Sequence, residues 1–340
     1  MQLCEFLGEF YDKIRLLEPS KLENKVVFIT GSNGFIGGNI LSYLHFLNQK
    51  AGLKMRLIAH SFSQRVPWLP QDESVRYLSG DLKDLRVDFD FDFLIHAATY
   101  GQPKKVFSHQ NATIELNTAT YIRLLERAKL CGASVLFLST SSVYGAIPAD
   151  KSPAKESFVG QVDCTQVAAL YGEAKRLGEV ITQIYAQNGV DAKVARIAIA
   201  YGPGVKFDDK RFINEFIKKA LQNGEITMMD SGSAVRQICF ISDMVEMLLS
   251  ARERVYNVSG LFDAAKGSVA SIAKIIAAHT QSKVVFPAQE NGVLGAYNSV
   301  IIDISKYREE FGKNDFVGIE MGLKKSVEWI KFLKENENGL

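Results

Sequence analysis

The chain has 340 residues, 47% of them hydrophobic and 23% charged, with a formal net charge of +2. That length carries one large α/β domain with a smaller lobe, or two modest domains. The near-neutral balance gives no electrostatic reason to expect nucleic acid or a membrane surface as a partner. The four cysteines, Cys4, Cys131, Cys164 and Cys239, are widely scattered, which suits neither a disulfide framework nor a metal site and fits a reducing cytoplasm. No uncharged apolar run reaches the ~18 residues of a membrane span, and the N-terminus lacks a signal-peptide pattern, so a cytoplasmic location is expected.

In chain order, Leu3, Phe6, Leu7, Phe10, Ile14 and Leu17 fall at helical spacing ahead of Pro19. They predict an amphipathic helix, packed on the main body or on a partner chain, in an N-terminal extension over 1–22. From Lys25 strands and helices alternate. Apolar runs at 25–30, 55–60, 75–82, 91–99, 134–140 and 191–200 read as strands, with helices over 39–47, 113–132 and 166–188 between them. The expected fold is therefore α/β, a Rossmann-type doubly wound parallel sheet over 23–200. After Tyr201-Gly202-Pro203 the rhythm loosens, and helical patterns near 211–224, 242–252, 268–280 and 323–335 predict a smaller, mostly helical lobe over 201–340 that shares a cleft with the sheet.

The first turn, "TGSNGFIGG", contains Gly31, Asn33, Gly34, Phe35, Ile36 and Gly37. Its glycines permit a tight turn, close backbone approach to a pyrophosphate and close helix–strand packing, with free N–H groups at the helix start. Dinucleotide binding is expected there. An NAD site usually has an acid at the end of the second strand to hold the ribose 2′-hydroxyl. Here Ala59 stands where that acid is expected, and no Asp or Glu occurs from Gly38 to Gln71. His60, Ser61, Ser63 and Arg65 offer hydroxyls and charge to a 2′-phosphate instead, so NADP is favoured and NAD is the alternative. Asp81, followed by Leu82, ends the third strand and can accept from an adenine amino group. Ala97 and Ala98 close the fourth strand with side chains small enough to pass beneath a cofactor, while His96 reads as a packed, hydrogen-bonded residue.

Tyr171 and Lys175 are four apart on one predicted helix face. A lysine ammonium one turn away favours the phenolate, which can take the proton of a hydroxyl whose carbon gives up hydride. In order along the chain, "TGSNGFIGG", "GDL", "HAA", "STSSVYG", "YGEAK" and "YGPG" resemble the extended short-chain dehydrogenase/reductase family, whose members act on nucleotide sugars. The resemblance covers nearly everything from Lys25. It implies that Thr140, Tyr171 and Lys175 are the catalytic Ser/Thr, Tyr and Lys, with Asn117 in support. The late stretch "SGSAVRQICFISDMVEML" is similar to UDP-glucuronate decarboxylases and UDP-sugar epimerases, which implies Arg236, and with it Arg211, as ligands of a nucleotide-sugar diphosphate. A homodimer is implied by the same likeness, and the tyrosine-bearing helix has more apolar positions than its own sheet can use.

Relatives that dehydrate or decarboxylate the sugar carry an acid after the catalytic threonine. This chain has Ser141 and Ser142 there, and hydroxyls are poor substitutes in acid–base work at carbon. The remaining chemistry is hydride and hydroxyl-proton transfer. A C4 epimerase through a transient 4-keto sugar is placed first, a 4-keto sugar reductase or C4 oxidase second, and a non-catalytic NAD(P)-binding scaffold or sensor stays open as a different class.

Overall fold

The computed structural model describes residues 1–16, 18–250, 252–287 and 299–336; Leu17, counted above in the first helix, lies outside them. The chain opens with two four-residue turns, α1 (Leu3–Phe6) and α2 (Gly8–Tyr11), where one longer helix is expected. The break falls at Leu7, whose φ and ψ are −104° and 4°. Both turns pack on the chain's own body. Leu3 N–H donates to the Trp68 carbonyl at 2.8 Å, Phe6 meets Trp329 edge-on at 5.2 Å, and Tyr11 donates to Asn39 Oδ1 at 3.1 Å.

Strand β1 (Val26–Thr30) is buried along its whole length, as expected of a central parallel strand. Helix α3 (Phe35–Ala51) returns over one face to β2 (Arg56–Ser61) and β3 (Val75–Ser79), and β4 (Phe93–His96) follows. Next come α4 (Pro103–Ser108), α5 (Gln110–Asn117) and α6 (Ala119–Cys131), then β5 (Ser134–Thr140). The sequence pattern merges α5 and α6. Thr118, at φ −127° and ψ −92°, separates them. Helix α7 (Leu170–Gln187) covers β5 and β6 (Ala192–Ile197); its first expected turn is instead a 3₁₀ turn over Val167–Ala169.

The C-terminal part adds β7 (Ile199–Tyr201), α8 (Phe212–Asn223), β8 (Glu225–Thr227), β9 (Val235–Arg236), β10 (Ile238–Phe240), α9 (Ile241–Ser250) and β11 (Val255–Val258). Helices α10 (Val269–Thr280), α11 (Ser305–Phe311) and α12 (Ile319–Glu335) complete it. The main sheet has seven strands in the order β11–β6–β5–β4–β1–β2–β3, all parallel. The order runs outward in opposite directions from β1 and β4, so their C-terminal ends frame the crevice where doubly wound sheets bind ligands. Strand β11 comes from the C-terminal part, so the chain crosses back to complete the sheet.

Candidate active site

The glycine turn is built for close contact. Gly31 has φ +72°, and a Cβ there would lie 2.7 Å from the Ala97 carbonyl oxygen. A Cβ on Gly37 would lie 2.5 Å from the Gly31 oxygen. Only glycine lets the turn sit against the end of β4 while α3 begins directly behind it. Phe35 is the first residue of that helix, and Ala97 and Ala98 lie under the turn. Asp81 is half-buried; it accepts from Lys83 N–H at 3.1 Å, forming its own turn, and Leu82 is buried beside it.

The residues past β2 divide into two groups. Arg65 Nη1 donates to the carbonyls of Val66, Pro67 and Leu69, at 3.3, 3.2 and 2.8 Å, and Nη2 donates to Gln71. Asn33 Nδ2 donates to the Ser63 carbonyl, Ser63 Oγ and the Gln64 carbonyl, and Ser61 donates to the Ser63 carbonyl at 2.7 Å. These side chains fasten their own loop. His60 differs. It lies one residue before the end of β2, in register with Thr30, and is buried; its ring nitrogens make no full hydrogen bond among the described residues, but the Gly80 backbone and Asp81 both act on the ring. Burial lowers its pKa from the ordinary histidine value, so the ring is held neutral.

Strand β5 delivers Ser139 and Thr140 into the crevice, and the following 3₁₀ turn carries Ser141–Tyr144. The Thr140 hydroxyl accepts from Ser142 N–H at 3.1 Å and donates to Ser142 Oγ at 3.2 Å, so the run of hydroxyls is a closed turn. Ser141 is half-buried and Ser142 exposed. Opposite stands α7. A Cβ on its Gly172 would lie 2.9 Å from the Ser142 carbonyl, and one on Gly178 would lie 2.4 Å from Phe137 Cζ. Both absences let the helix press against β5.

Tyr171 and Lys175 project from that face. The Tyr171 phenol is half-buried beside Thr140, whose hydroxyl favours its ionised form, and close to Gly101, where a Cβ would lie 3.9 Å from the phenolic oxygen. Lys175 is buried, donates to the Leu138 carbonyl at 2.6 Å and lies 4.6 Å over the Phe137 ring. Burial draws the Lys175 pKa down to about 7, with Glu179 opposing the fall. Burial pushes the Tyr171 phenol up to about 12, and the opposing influences are Thr140 and then Arg211. The sequence pattern assigns that opposing role to Lys175; in the structure its ammonium is turned to Leu138 and a different cation, Arg211, acts on the phenol.

Arg211 reaches this cluster from the chain just before α8. Its guanidinium lies 5.1 Å over Phe35 and grips buried Asp209, Nε at 3.0 and 3.1 Å and Nη2 at 2.5 Å. Gln102 donates to the same carboxylate at 3.1 Å. Arg236 is half-buried on β9, with Nη1 donating to the Val235 carbonyl at 2.8 Å. Asn117 is buried at the end of α5 and donates to the Thr113 carbonyl at 2.7 Å and to Thr99 at 3.0 Å; its Oδ1 has no partner among the described residues. His96 is a packed residue. Nε2–H donates to the Leu116 carbonyl at 3.0 Å, Thr30 donates to Nδ1 at 2.9 Å, and the ring stacks on Tyr121 at 4.9 Å. Asp243 is held in a buried pair with Lys313 at 3.1 Å and accepts from Val317 N–H at 2.9 Å.

Sequence reasoning passed over the polar layer behind Lys175. Glu179, four residues further along α7, accepts from Ser139 Oγ at 2.5 Å and from Arg196 Nε and Nη2 at 3.1 and 2.7 Å. A signal was present: Arg196 interrupts an apolar strand, and a charge in a buried strand requires a partner. Asp209 and Gln102 gave no comparable signal.

The family model described as the NAD-dependent epimerase/dehydratase family matches residues 27–260. The chain belongs to that family. Within it, UDP-glucuronic acid decarboxylase 6 of Arabidopsis thaliana is 31% identical over 258 residues, 69% of this chain and 70% of that protein. Among solved structures, an epimerase of Methanothermobacter thermautotrophicus superposes with a TM-score of 0.79 at 22% identity, covering 98% of this chain and 97% of that one. A UDP-glucuronic acid 4-epimerase of Bacillus cereus, solved with UDP-glucuronic acid and NAD, gives 0.71 at 20% identity, over 91% of this chain and 99% of that one. These likenesses establish an enzyme of the extended short-chain dehydrogenase/reductase group with a Rossmann-type sheet. The glycine cradle fits a dinucleotide. No helix among the described residues is long and apolar enough to cross a membrane.

Proposed function

We propose that this family member is a nucleotide-sugar C4 epimerase, with UDP-glucuronate the first substrate to test. The observation that carries the reading is the state of the acids around Thr140 and Tyr171. Glu179 and Asp209 are each closed in an arginine fork, and the positions after Thr140 are serines. Dehydration across C5–C6 requires a base at C5 and an acid at C6, and related decarboxylases carry a glutamate after the threonine. Neither provision is made here, whereas a phenol and a hydroxyl suffice for oxidation and return at C4. The names of relatives such as the Arabidopsis decarboxylase support UDP-glucuronate as the sugar, and the loss of the glutamate supports epimerisation without loss of the carboxylate.

In this mechanism Thr140 orients the C4 hydroxyl toward Tyr171, and Tyr171 takes its proton, with Arg211 favouring the phenolate. Lys175 fixes the face of α7 against β5 through the Leu138 carbonyl. Bound NAD supplies the hydride acceptor. After the keto sugar rotates, Tyr171 returns the proton to the C4 oxygen, the same cofactor being the one that would give hydride back to the other face. Asn117 supports the contact between α5 and α7, where its backbone carbonyl oxygen lies against Gly178, and Arg236 is assigned to the diphosphate side of the cleft, while Arg211, closed on Asp209, stays beside Tyr171.

NAD is proposed over the NADP that the sequence favours. Arg65 has Nη1 engaged by three carbonyls and Nη2 by Gln71, bonds that it would have to give up to turn to a 2′-phosphate. A neutral His60 near the end of β2 keeps a ring nitrogen for a ribose hydroxyl beside its interaction with the Gly80 backbone. A homodimer is supported by exposed Leu177, Val180 and Ile184 on α7, with Ile114 and Ile122 on the neighbouring α5 and α6.

The test is purified protein incubated with UDP-glucuronate and a panel of UDP-, GDP-, CDP- and dTDP-sugars, without added cofactor. The expected product is the C4 isomer of the uronate. Release of carbon dioxide would assign a decarboxylase, and turnover only with stoichiometric NADPH a reductase.

A further inference from the structure

The buried polar layer behind Lys175 has a geometry that the epimerase reading does not use. Ser139, Leu138 and Thr140 are consecutive at the end of β5, and each meets a different residue of α7. The Leu138 carbonyl receives Lys175 at 2.6 Å, Thr140 faces Tyr171, and the Ser139 hydroxyl donates to Glu179 at 2.5 Å. Tyr171, Lys175 and Glu179 are spaced four apart, so a single helix face grips three successive strand residues. Arg196 on neighbouring β6 fixes the Glu179 carboxylate with Nε to both oxygens at 3.1 Å and Nη2 to one at 2.7 Å. Its Nη1 donates to the Tyr144 hydroxyl at 3.1 Å and to the Glu156 carbonyl at 3.0 Å. Glu179 and Arg196 are both nearly buried, at 9% and 15% side-chain exposure, so water screens the pair poorly.

We infer that Glu179 is a positioning residue: held by Arg196, it clamps the end of β5 through Ser139 and so sets where Leu138 and Thr140 present themselves to Lys175 and Tyr171. The inference rests on the roles proposed for those two residues. Removing a buried charge while leaving its partner is costly because desolvation remains uncompensated, which explains why the clamp is a complete ion pair. The groups facing Lys175 can be named. On α7 they are Tyr171 and Glu179; from β5, the Phe137 ring and the Leu138 carbonyl; from β4, His96, which burial and Lys175 itself keep neutral; from β6, Arg196, reached through Glu179. Glu179 is the nearest acid among them and the one group that opposes the fall in the Lys175 pKa.

Two variants test the clamp. Ser139→Ala cuts the link to β5 and leaves the ion pair whole; Glu179→Gln removes the charge. Each is compared with wild type by steady-state kinetics and by carbon-13 NMR titration of lysine labelled at Cε, with the Lys175 resonance assigned from Lys175→Arg. Both variants are expected to lose about tenfold or more in kcat with KM for the nucleotide sugar nearly unchanged, because misplacement by a fraction of an ångström is felt in the reacting geometry. Glu179→Gln is also expected to lower the Lys175 titration midpoint by about one unit, since the nearby opposite charge is gone. Should Glu179→Gln fail to fold, Ser139→Ala carries the kinetic test alone. Wild-type kcat in Ser139→Ala, or a wild-type midpoint in folded Glu179→Gln, would overturn the inference. Absence of isomerisation by the wild-type protein would count against the epimerase reading instead, and the Lys175 midpoint in Ser139→Ala, where Glu179 keeps its charge and only the link to β5 is cut, would still decide the clamp: a shift supports it and a wild-type midpoint overturns it.

Discussion

Lys175 is the residue at which burial and function pull hardest against each other. Its pKa is drawn from 10.5 to about 7 by desolvation, so between those values the unfolded chain keeps a proton that the folded chain has released. Stability at this position therefore rises with pH from about 7 toward 10.5, and the penalty is fully present below 7. Lys175→Met should raise the Tm at pH ~6, with the advantage shrinking toward pH ~9; thermal unfolding at the two pH values checks it. The same substitution removes the tie from α7 to the Leu138 carbonyl beside Thr140, so a gain in stability with a loss of turnover is the expected pair. At this scale much of the site was legible. The spacing of Tyr171 and Lys175, and the hydroxyls that precede Tyr144, are sequence features with a direct chemical meaning. Arg65 was not legible in the same way, because nothing in a polar loop shows that its guanidinium is closed on the carbonyls of its own turn. Ala59 and His60 differ by one position, and only the pairing of Thr30 with His60 shows which of them lies level with the end of β1 beside the cofactor loop.

At the scale of elements, the approach of α7 to β5 decides whether Tyr171 and Thr140 meet. Gly178 sits at the tightest point of that approach, where any Cβ would collide with the Phe137 ring. Gly178→Ala is expected to destabilise the fold by about 1–3 kcal/mol, as overpacking does, and to lower kcat because α7 must retreat from β5. A Tm equal to that of wild type would show that the ring yields and that the contact is less strict. The strands were read from their apolar runs, since parallel strands buried on both faces are continuous in hydrophobicity. Helix ends were harder. The run from Thr113 to Gly132 keeps its periodicity across Thr118, yet the backbone breaks there, and periodicity carries no record of a single residue's dihedrals. The opening segment behaves likewise: Leu3, Leu7 and Phe10 are buried as the pattern implies, but through two short turns, with Phe6 against the Trp329 ring and Phe10 against Phe240. Contacts with residues so distant in sequence outweigh local preference.

For the whole molecule, the chain's crossing back to supply β11 joins the C-terminal part to the sheet. Asn257 on that strand accepts from Tyr144 at 2.7 Å and donates to the Ala154 and Asp303 carbonyls at 2.9 Å. Through Tyr144 and Arg196 this network continues to Glu179, so the part carrying Arg236 and the part carrying Lys175 share one buried polar framework. The apolar positions Leu177, Val180 and Ile184, each about half exposed on α7, are assigned to a second copy of the chain. Sedimentation velocity is expected to show a dimer for wild type and a monomer for Val180→Lys, and a monomeric wild type would remove that assignment. The central claim, reversible oxidation at C4 with hydride returned to the same carbon, is tested most directly with UDP-glucuronate carrying deuterium at C4. The predicted result is a C4-inverted uronate that keeps its deuterium at C4, with no carbon dioxide released and no net NADH. Deuterium moved to another carbon, a pentose product, or conversion that consumes NADPH would contradict it.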